Sequence, residues 1–220
     1  MKYLILNGDD FGYSKLFNIE ILRLLKNGMI SSTTAMVKHI NDKQGAQVKE
    51  LIELNQSHGI SVGLHLEFKD NNFLQEIKRQ HEKFISIFGF EPSHIDLHKS
   101  TFLKEVDDII ANYCNEHTLP CRNHAIAKIK ARVTTNNEAL SGTKMSFNEL
   151  KNLIENLKDG ESYEILFHPG KYDPECKSSL NKQRGDDVKK IEKINPLLKE
   201  NDVRLISFNE LAILLNKTTA

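Results

Sequence analysis

Short apolar runs alternate along the chain with longer segments whose apolar residues recur every three or four positions, a pattern that predicts β/α units around a largely parallel sheet. The short runs are Lys2–Asn7, Ser32–Val37, Ile60–Phe68, His94–Leu97, Ala125–Ile129, Tyr163–His168 and Val203–Ser207. Helical patterns fill the intervals. In Lys15–Asn27 the stripe is assigned to Ile19, Leu22, Leu25 and Lys26, with Gly28 as the residue that ends the helix. Phe73–Phe88 repeats apolar residues at Phe73, Ile77, Phe84, Ile87 and Phe88, and Gly89 follows. Phe102–His117 and Phe147–Leu157 carry similar stripes, the latter opened by Ser146-Phe-Asn-Glu149, the spacing of a capping box. A short helix over Asn209–Asn216 follows the last strand.

About seven such units in one domain, residues 1–220, predict a TIM-like (β/α) barrel, distorted or incomplete because 220 residues are few for eight units. An open doubly wound sheet is the alternative. Both architectures gather functional groups at the carboxyl ends of strands, so the location expected for a site is the same. No linker or low-complexity tract divides the chain, and the least regular part, Tyr172–Gly185, is expected to be a mobile surface loop.

Composition narrows the partners. Thirty basic side chains balance thirty acidic ones, which leaves no global field to attract nucleic acid or anionic lipid. No stretch approaches the roughly 20 apolar residues of a membrane span, and the apolar run at the N-terminus is too short for a signal segment. Cys114, Cys121 and Cys176 form no CxxC pair, and an odd count argues against a disulfide framework. A cytoplasmic protein is expected.

Four strand ends carry candidate chemistry. Asp9 and Asp10 follow the first apolar run, where they suit either a cation site or a solvated turn and helix cap. His65 lies in Gly63-Leu-His-Leu-Glu-Phe68, whose alternation sets Gly63, His65 and Glu67 on one face; a ligand and a hydrogen-bonded core histidine are both open readings. His94, Asp96 and His98 share one face of an extended segment, and imidazole beside carboxylate suits Zn²⁺ or another first-row divalent ion. His98 stands nearest the carboxyl end and is the better ligand candidate. His168 precedes Pro169-Gly170, which stops the strand and leaves an imidazole where it could protonate a leaving group. His39, His58, His81, His117 and His124 have weaker contexts and are taken as surface or structural.

Leu6-Asn-Gly-Asp-Asp-Phe-Gly-Tyr-Ser14, Gly28-Met-Ile-Ser-Ser-Thr-Thr-Ala-Met36, Val62-Gly-Leu-His-Leu66, Pro92-Ser-His-Ile-Asp-Leu-His98 and Leu166-Phe-His-Pro-Gly170 together resemble the YdjC-like carbohydrate deacetylases, in the family's order. The resemblance implies a distorted barrel that removes an acetyl group from an N-acetylated sugar with one divalent metal ion, Mg²⁺ or Zn²⁺. It places the metal on Asp10, His65 and His98, the catalytic base at Asp9 and the general acid at His168. Arg122, in Leu119-Pro-Cys-Arg122, falls where the family often has an arginine near the base and is expected among the substrate-binding groups. A homodimer is left open.

Two departures from the family pattern stand out. His98 is followed by Lys99-Ser100-Thr101 instead of further histidines, and the chain passes from Glu67 to the helix near Asn72 without the usual insertion. A more open cleft is the expectation. Two other readings remain: a metal hydrolase of a lactam or acylated metabolite, and a sugar-binding relative that has lost turnover.

Overall fold

The computed structural model describes residues 1–99, 104–123 and 128–218. Among these, seven strands alternate with seven helices: β1 Lys2–Phe11, α1 Lys15–Lys26, β2 Ser32–Ala35, α2 Gly45–His58, β3 Ser61–Leu66, α3 Phe73–Phe88, β4 Ile95–Leu97, α4 Lys104–His117, β5 Leu140–Ser141, α5 Phe147–Glu155, β6 Ser162–Phe167, α6 Arg184–Glu200, β7 Val203–Leu205 and α7 Phe208–Thr218. Every strand pair is parallel, in the order β4-β3-β2-β1-β6-β5, and the sheet curls into a half-barrel. β7 pairs with β1 over Lys2–Leu4, and β2 pairs with β1 from Asn7 onward. The distorted barrel expected from the alternation is what forms.

β1 sits at the centre and is buried on both faces from Leu4 to Phe11, its apolar Leu4-Ile-Leu6 giving way to the buried polar Asn7, Asp9 and Asp10. Leu4 and Leu6 pack in the main core, whereas Ile5 on the opposite face meets Ile206, Phe208 and Leu211. By the two-residue period, Ile5, Asn7 and Asp9 therefore share the inner face, which runs from an apolar floor to a polar mouth. His94 belongs to the floor: its ring stacks on Phe208 with centroids 3.8 Å apart. Gly63 leaves room for that ring, since a Cβ there would lie 2.4 Å from His94 Cε1.

The helix assignments differ in detail. α1 buries Phe17, Ile21, Leu22, Leu24 and Leu25, while Ile19 is 39% exposed and Lys26 is exposed. Leu22 and Leu25 of the assigned stripe therefore face the sheet, whereas Ile19, at 100° per residue roughly 200° around the helix from Phe17, points away from it. Gly28 and Gly89 leave α1 and α3 with φ of 63° and 77°, left-handed geometry that glycine adopts without strain. The capping box forms at α5: Glu149 N donates to Ser146 Oγ at 3.3 Å, and Ser146 N donates to Glu149 Oε2 at 2.7 Å.

Residues 125–127 of the strand expected over Ala125–Ile129 lie outside the described residues, as do Phe102 and Leu103 of the expected fourth helix; 128 and 129 form a bend. The strand after α4 is instead the short β5, and Cys121 bridges Ile95 just before Arg122. Residues 172–185 are not a free surface loop. Asn181 is buried and ties the segment to itself, accepting from Asp173 N at 2.9 Å and donating to Asp173 O at 2.6 Å and Cys176 O at 3.0 Å. Arg184, at its end, begins α6 and is fully buried.

Candidate metal centre and acid/base groups

The backbone of β1 creates the first part of the site. Its pairing with β2 slips between Gly8 and Phe11, so three steps along β1 match two along β2. Asp10 takes φ 75° at this irregularity, a left-handed conformation in which Asp is among the better-tolerated residues. The slip lets two adjacent carboxylates address different neighbours within one buried pocket.

Asp10 Oδ1 stands 3.3 Å from His65 Nε2 and 3.1 Å from His98 Nδ1, and those two nitrogens are 3.2 Å apart. Three donor atoms thus form a nearly equilateral triangle. Its edges match the ligand–ligand spacing of about 3.3 Å around a tetrahedral ion with bonds of about 2.0–2.1 Å. One oxygen and two imidazole nitrogens also suit zinc by ligand type. The three residues fit a divalent cation.

Asp96 fixes the ring of His65 by accepting from Nδ1 at 2.5 Å, which leaves Nε2 turned to Asp10. Burial alone would lower the His65 pKa, but Asp96 and then Asp10 overcome it and push it up to about 10. A cation held here would displace that proton. Burial likewise disfavours ionised Asp10, yet its hydrogen bonds with His65 and His98 hold its pKa well below the usual carboxylate range.

Asp9 lies behind the triangle. Burial raises its pKa, and the facing Arg122 guanidinium, followed by His65, more than reverses this and keeps it ionised. Arg122 grips Asp9 through two bonds, NH2 to Oδ1 at 2.8 Å and NH1 to Oδ2 at 3.1 Å. The same guanidinium reaches Asp96 at 2.5 Å and Glu164 at 2.8 Å. Asn7 Nδ2 donates to Asp9 Oδ1 at 2.6 Å. Burial pushes the carboxyl of Glu164 up to about 7 against the pull of Arg122.

His168 closes the opposite side, with Nε2 3.8 Å from Asp9 Oδ2. Burial lowers its pKa against the opposing pull of Asp9 and Asp10, so the imidazole gives up a proton more readily than usual. Its Nδ1 faces Thr143 Oγ1 at 2.9 Å, and Thr143 Oγ1 in turn donates to Asp187 Oδ2 at 2.5 Å. A cleft of about 330 Å³ opens over Asp9, Asp10, His65, His98, Arg122 and His168.

All six residues expected in a site therefore meet in one place. Arg122 lines the cleft but is only 3% exposed, its guanidinium engaged with Asp9 and Glu164. Of the other two residues on the fourth strand's face, Asp96 orients His65, while His94 remains in the floor, away from the triangle. His81, taken as structural, is buried between Tyr113 and Glu91, and His39 meets Tyr13 and Glu67.

Glu164, Thr143, Arg184 and Asp187 were not expected. Arg184 donates to Asp10 Oδ2, its guanidinium lying 3.6 Å over the Phe17 ring, and Asp187 accepts from His168 N at 2.9 Å. The available signal was Arg and Asp three residues apart at the head of the Val188, Ile191, Ile194, Leu198 stripe. That stripe was hidden by the polar residues around it.

Parallel strands, flanking helices and a buried Asp/His triangle at the strand ends make this a (β/α)-barrel protein with a candidate metal centre. The chain belongs to the YdjC-like protein family, whose pattern matches residues 3–74 and 68–219. It is 29% identical over 250 residues to a carbohydrate deacetylase of Clostridium beijerinckii, covering 94% of this chain and 99% of that one. A chitooligosaccharide deacetylase of Yersinia pestis is 29% identical over 154 residues, 55% of this chain and 59% of the other. In fold, the chain is similar to a candidate cellobiose-phosphate cleavage protein of Enterococcus faecalis, with a TM-score of 0.76 at 20% identity over 96% of this chain and 98% of that one. Among the described residues, no helix is long and apolar enough to cross a membrane.

Proposed function

We propose that this protein is a divalent-metal-dependent hydrolase that removes the acetyl group from an N-acetylated sugar. The observation that carries the reading is the triangle of Asp10, His65 and His98, with donor atoms 3.1–3.3 Å apart, flanked by an ionised carboxylate and an imidazole. The carbohydrate deacetylase name of the Clostridium beijerinckii relative supports the substrate class.

Asp10, His65 and His98 would hold the cation, and two imidazoles in the set favour Zn²⁺ over Mg²⁺. Such an ion lowers the pKa of a water and polarises an amide carbonyl. The chain's own groups handle the protons. Asp9, ionised and clamped by Arg122, accepts the proton of the attacking water; His168 delivers a proton to the departing amine. Arg122 acts through Asp9: it fixes the orientation of the carboxylate and balances its buried charge. Asp9 and His168 stand 3.8 Å apart, close enough to address the water and the scissile nitrogen of one substrate.

The experiment is to load the protein with Zn²⁺ or Mg²⁺ and measure acetate release from N-acetylated mono- and oligosaccharides. Metal-dependent acetate release, abolished in His98→Ala, is expected. Release of ammonia or amino acid from other amides, with no acetate from any sugar, would overturn the substrate reading. Acetate release at the same rate by a chelator-treated sample would overturn the metal role.

A further inference from the structure

One turn of one helix touches both halves of the candidate site. Arg184 and Asp187 open α6, three residues apart and hence on the same face, and each is at most 1% exposed. Arg184 NH2 donates to Asp10 Oδ2, while the other oxygen, Oδ1, points to His65 and His98. Asp187 Oδ2 accepts from the backbone N of His168 at 2.9 Å and from Thr143 Oγ1 at 2.5 Å, and the Thr143 oxygen lies 2.9 Å from His168 Nδ1.

The guanidinium is held by packing and by NH2 alone, since among the described residues its Nε and NH1 have no hydrogen-bond partner. It lies over the Phe17 ring at 3.6 Å, and a Cβ on Gly170 would come within 3.1 Å of Arg184 Cδ, so the turn after His168 is shaped around this side chain. Arg184 NH2 also reaches Ser178 Oγ at 3.3 Å, in the segment that covers the cleft.

We infer that Arg184 and Asp187 are positioning residues: Arg184 occupies the outer oxygen of Asp10 so that only Oδ1 is offered to a cation, and Asp187 locks the orientation of His168 through Thr143. The inference rests on the proposed metal-dependent reaction and goes beyond it in assigning the division of Asp10's two oxygens. A carboxylate freed of its arginine can chelate with both oxygens, and it carries more uncompensated charge. It then holds the metal at least as tightly, but closes a coordination position that water or substrate must use. An orienting arginine and a merely structural one therefore predict opposite changes in metal affinity.

The test uses the full chain. Zn²⁺ affinity is measured by isothermal titration for the wild type, Arg184→Met, Arg184→Lys and Asp187→Asn, together with kcat and KM for acetate release. For Arg184→Met the expectation is Zn²⁺ affinity equal to wild type or tighter, with kcat lowered at least tenfold. Arg184→Lys, which restores one donor and the charge, should recover part of kcat. For Asp187→Asn, Zn²⁺ affinity should stay within twofold while kcat falls at least fivefold and KM stays within twofold.

A tenfold weaker Zn²⁺ affinity in Arg184→Met with a wild-type melting curve, or wild-type kcat in it, overturns the role of Arg184; wild-type kcat in Asp187→Asn overturns that of Asp187. Should Arg184→Met fail to fold, Arg184→Lys decides: kcat as in wild type, or Zn²⁺ binding tenfold weaker, overturns the assignment. Failure of the underlying reaction has a different signature, because the wild type itself would then bind no zinc or release no acetate.

Discussion

Arg122→Met removes the cation around which the buried acids are arranged while keeping a side chain of similar reach. In the native protein Arg122, 3% exposed, makes contacts of 2.8 and 3.1 Å to Asp9, 2.5 Å to Asp96 and 2.8 Å to Glu164. Without it, three carboxylates share the space, opposed chiefly by His65. Breaking a buried ion pair from one side costs about 3–5 kcal/mol. Glu164 relieves part of the strain cheaply, because its carboxyl is already pushed up to about 7 and takes a proton near neutral pH. The cost then falls on Asp9 and Asp96, both held below the usual carboxylate range in the native protein.

We expect a loss of about 4 kcal/mol at pH 7.5, a melting point about 8–16 °C lower for a chain of this size. The pH dependence has a definite sign. With Arg122 gone, folded-state carboxyl pKa values rise above those of the unfolded chain, so the variant becomes less stable relative to wild type as pH rises from about 4 toward neutrality. Urea unfolding of both proteins at pH 5.5 and 7.5 measures this directly. A loss below about 1 kcal/mol at pH 7.5, or a deficit larger at pH 5.5 than at 7.5, would show that the guanidinium is not what keeps these acids ionised.

Two further stability experiments probe groups outside the reaction. Burial holds the His94 imidazole down at about 3, so below its ordinary value of 6.5 the unfolded chain takes up a proton that the folded chain refuses. Stability drains away as pH falls from 6.5 toward 3, by up to about 5 kcal/mol from this group, and His94→Phe, which preserves the stack on Phe208, should flatten that acid slope in urea titrations. An unchanged slope would refute it. Asp107 is 3% exposed, neither of its carboxylate oxygens has a hydrogen-bond partner among the described residues, and burial followed by Asp108 pushes its pKa up to about 6. The ionised form destabilises the fold increasingly between its ordinary 3.8 and about 6, so Asp107→Asn should stabilise by up to about 3 kcal/mol at pH 7.5 and by little at pH 4, checked by melting curves at the two pH values.

Much of the site was legible because the chemistry sits at strand ends and strands have a two-residue period. Asp10, His65, His98 and His168 could be placed at one mouth from the spacing of apolar runs, and the motif order added roles to them. Arg122 was harder. No strand pattern leads into it, and only the bridge of Cys121 to Ile95 shows why its side chain enters the interior beside Asp9. The stripe of α1 was right at Leu22 and Leu25 and wrong at Ile19 and Lys26, because a helix of many apolar residues offers several candidate faces and only contact with the sheet selects Phe17, Ile21 and Leu24 over Ile19.

The sequence by itself determined the alternation of strands and helices and the placing of Asp10, His65, His98 and His168 at strand ends, and the motif order supplied the roles proposed for them. These are local properties, written in periodicity and in residue type. Tertiary structure alone decided that Asp10 would turn at an irregularity in β1, that one arginine would join Asp9, Asp96 and Glu164, and that Arg184 and Asp187 would brace the site from 174 and 19 residues away along the chain. Such contacts depend on which faces meet when the sheet curls, and a polar residue buried by that meeting looks, in the sequence, like any residue of a solvated loop.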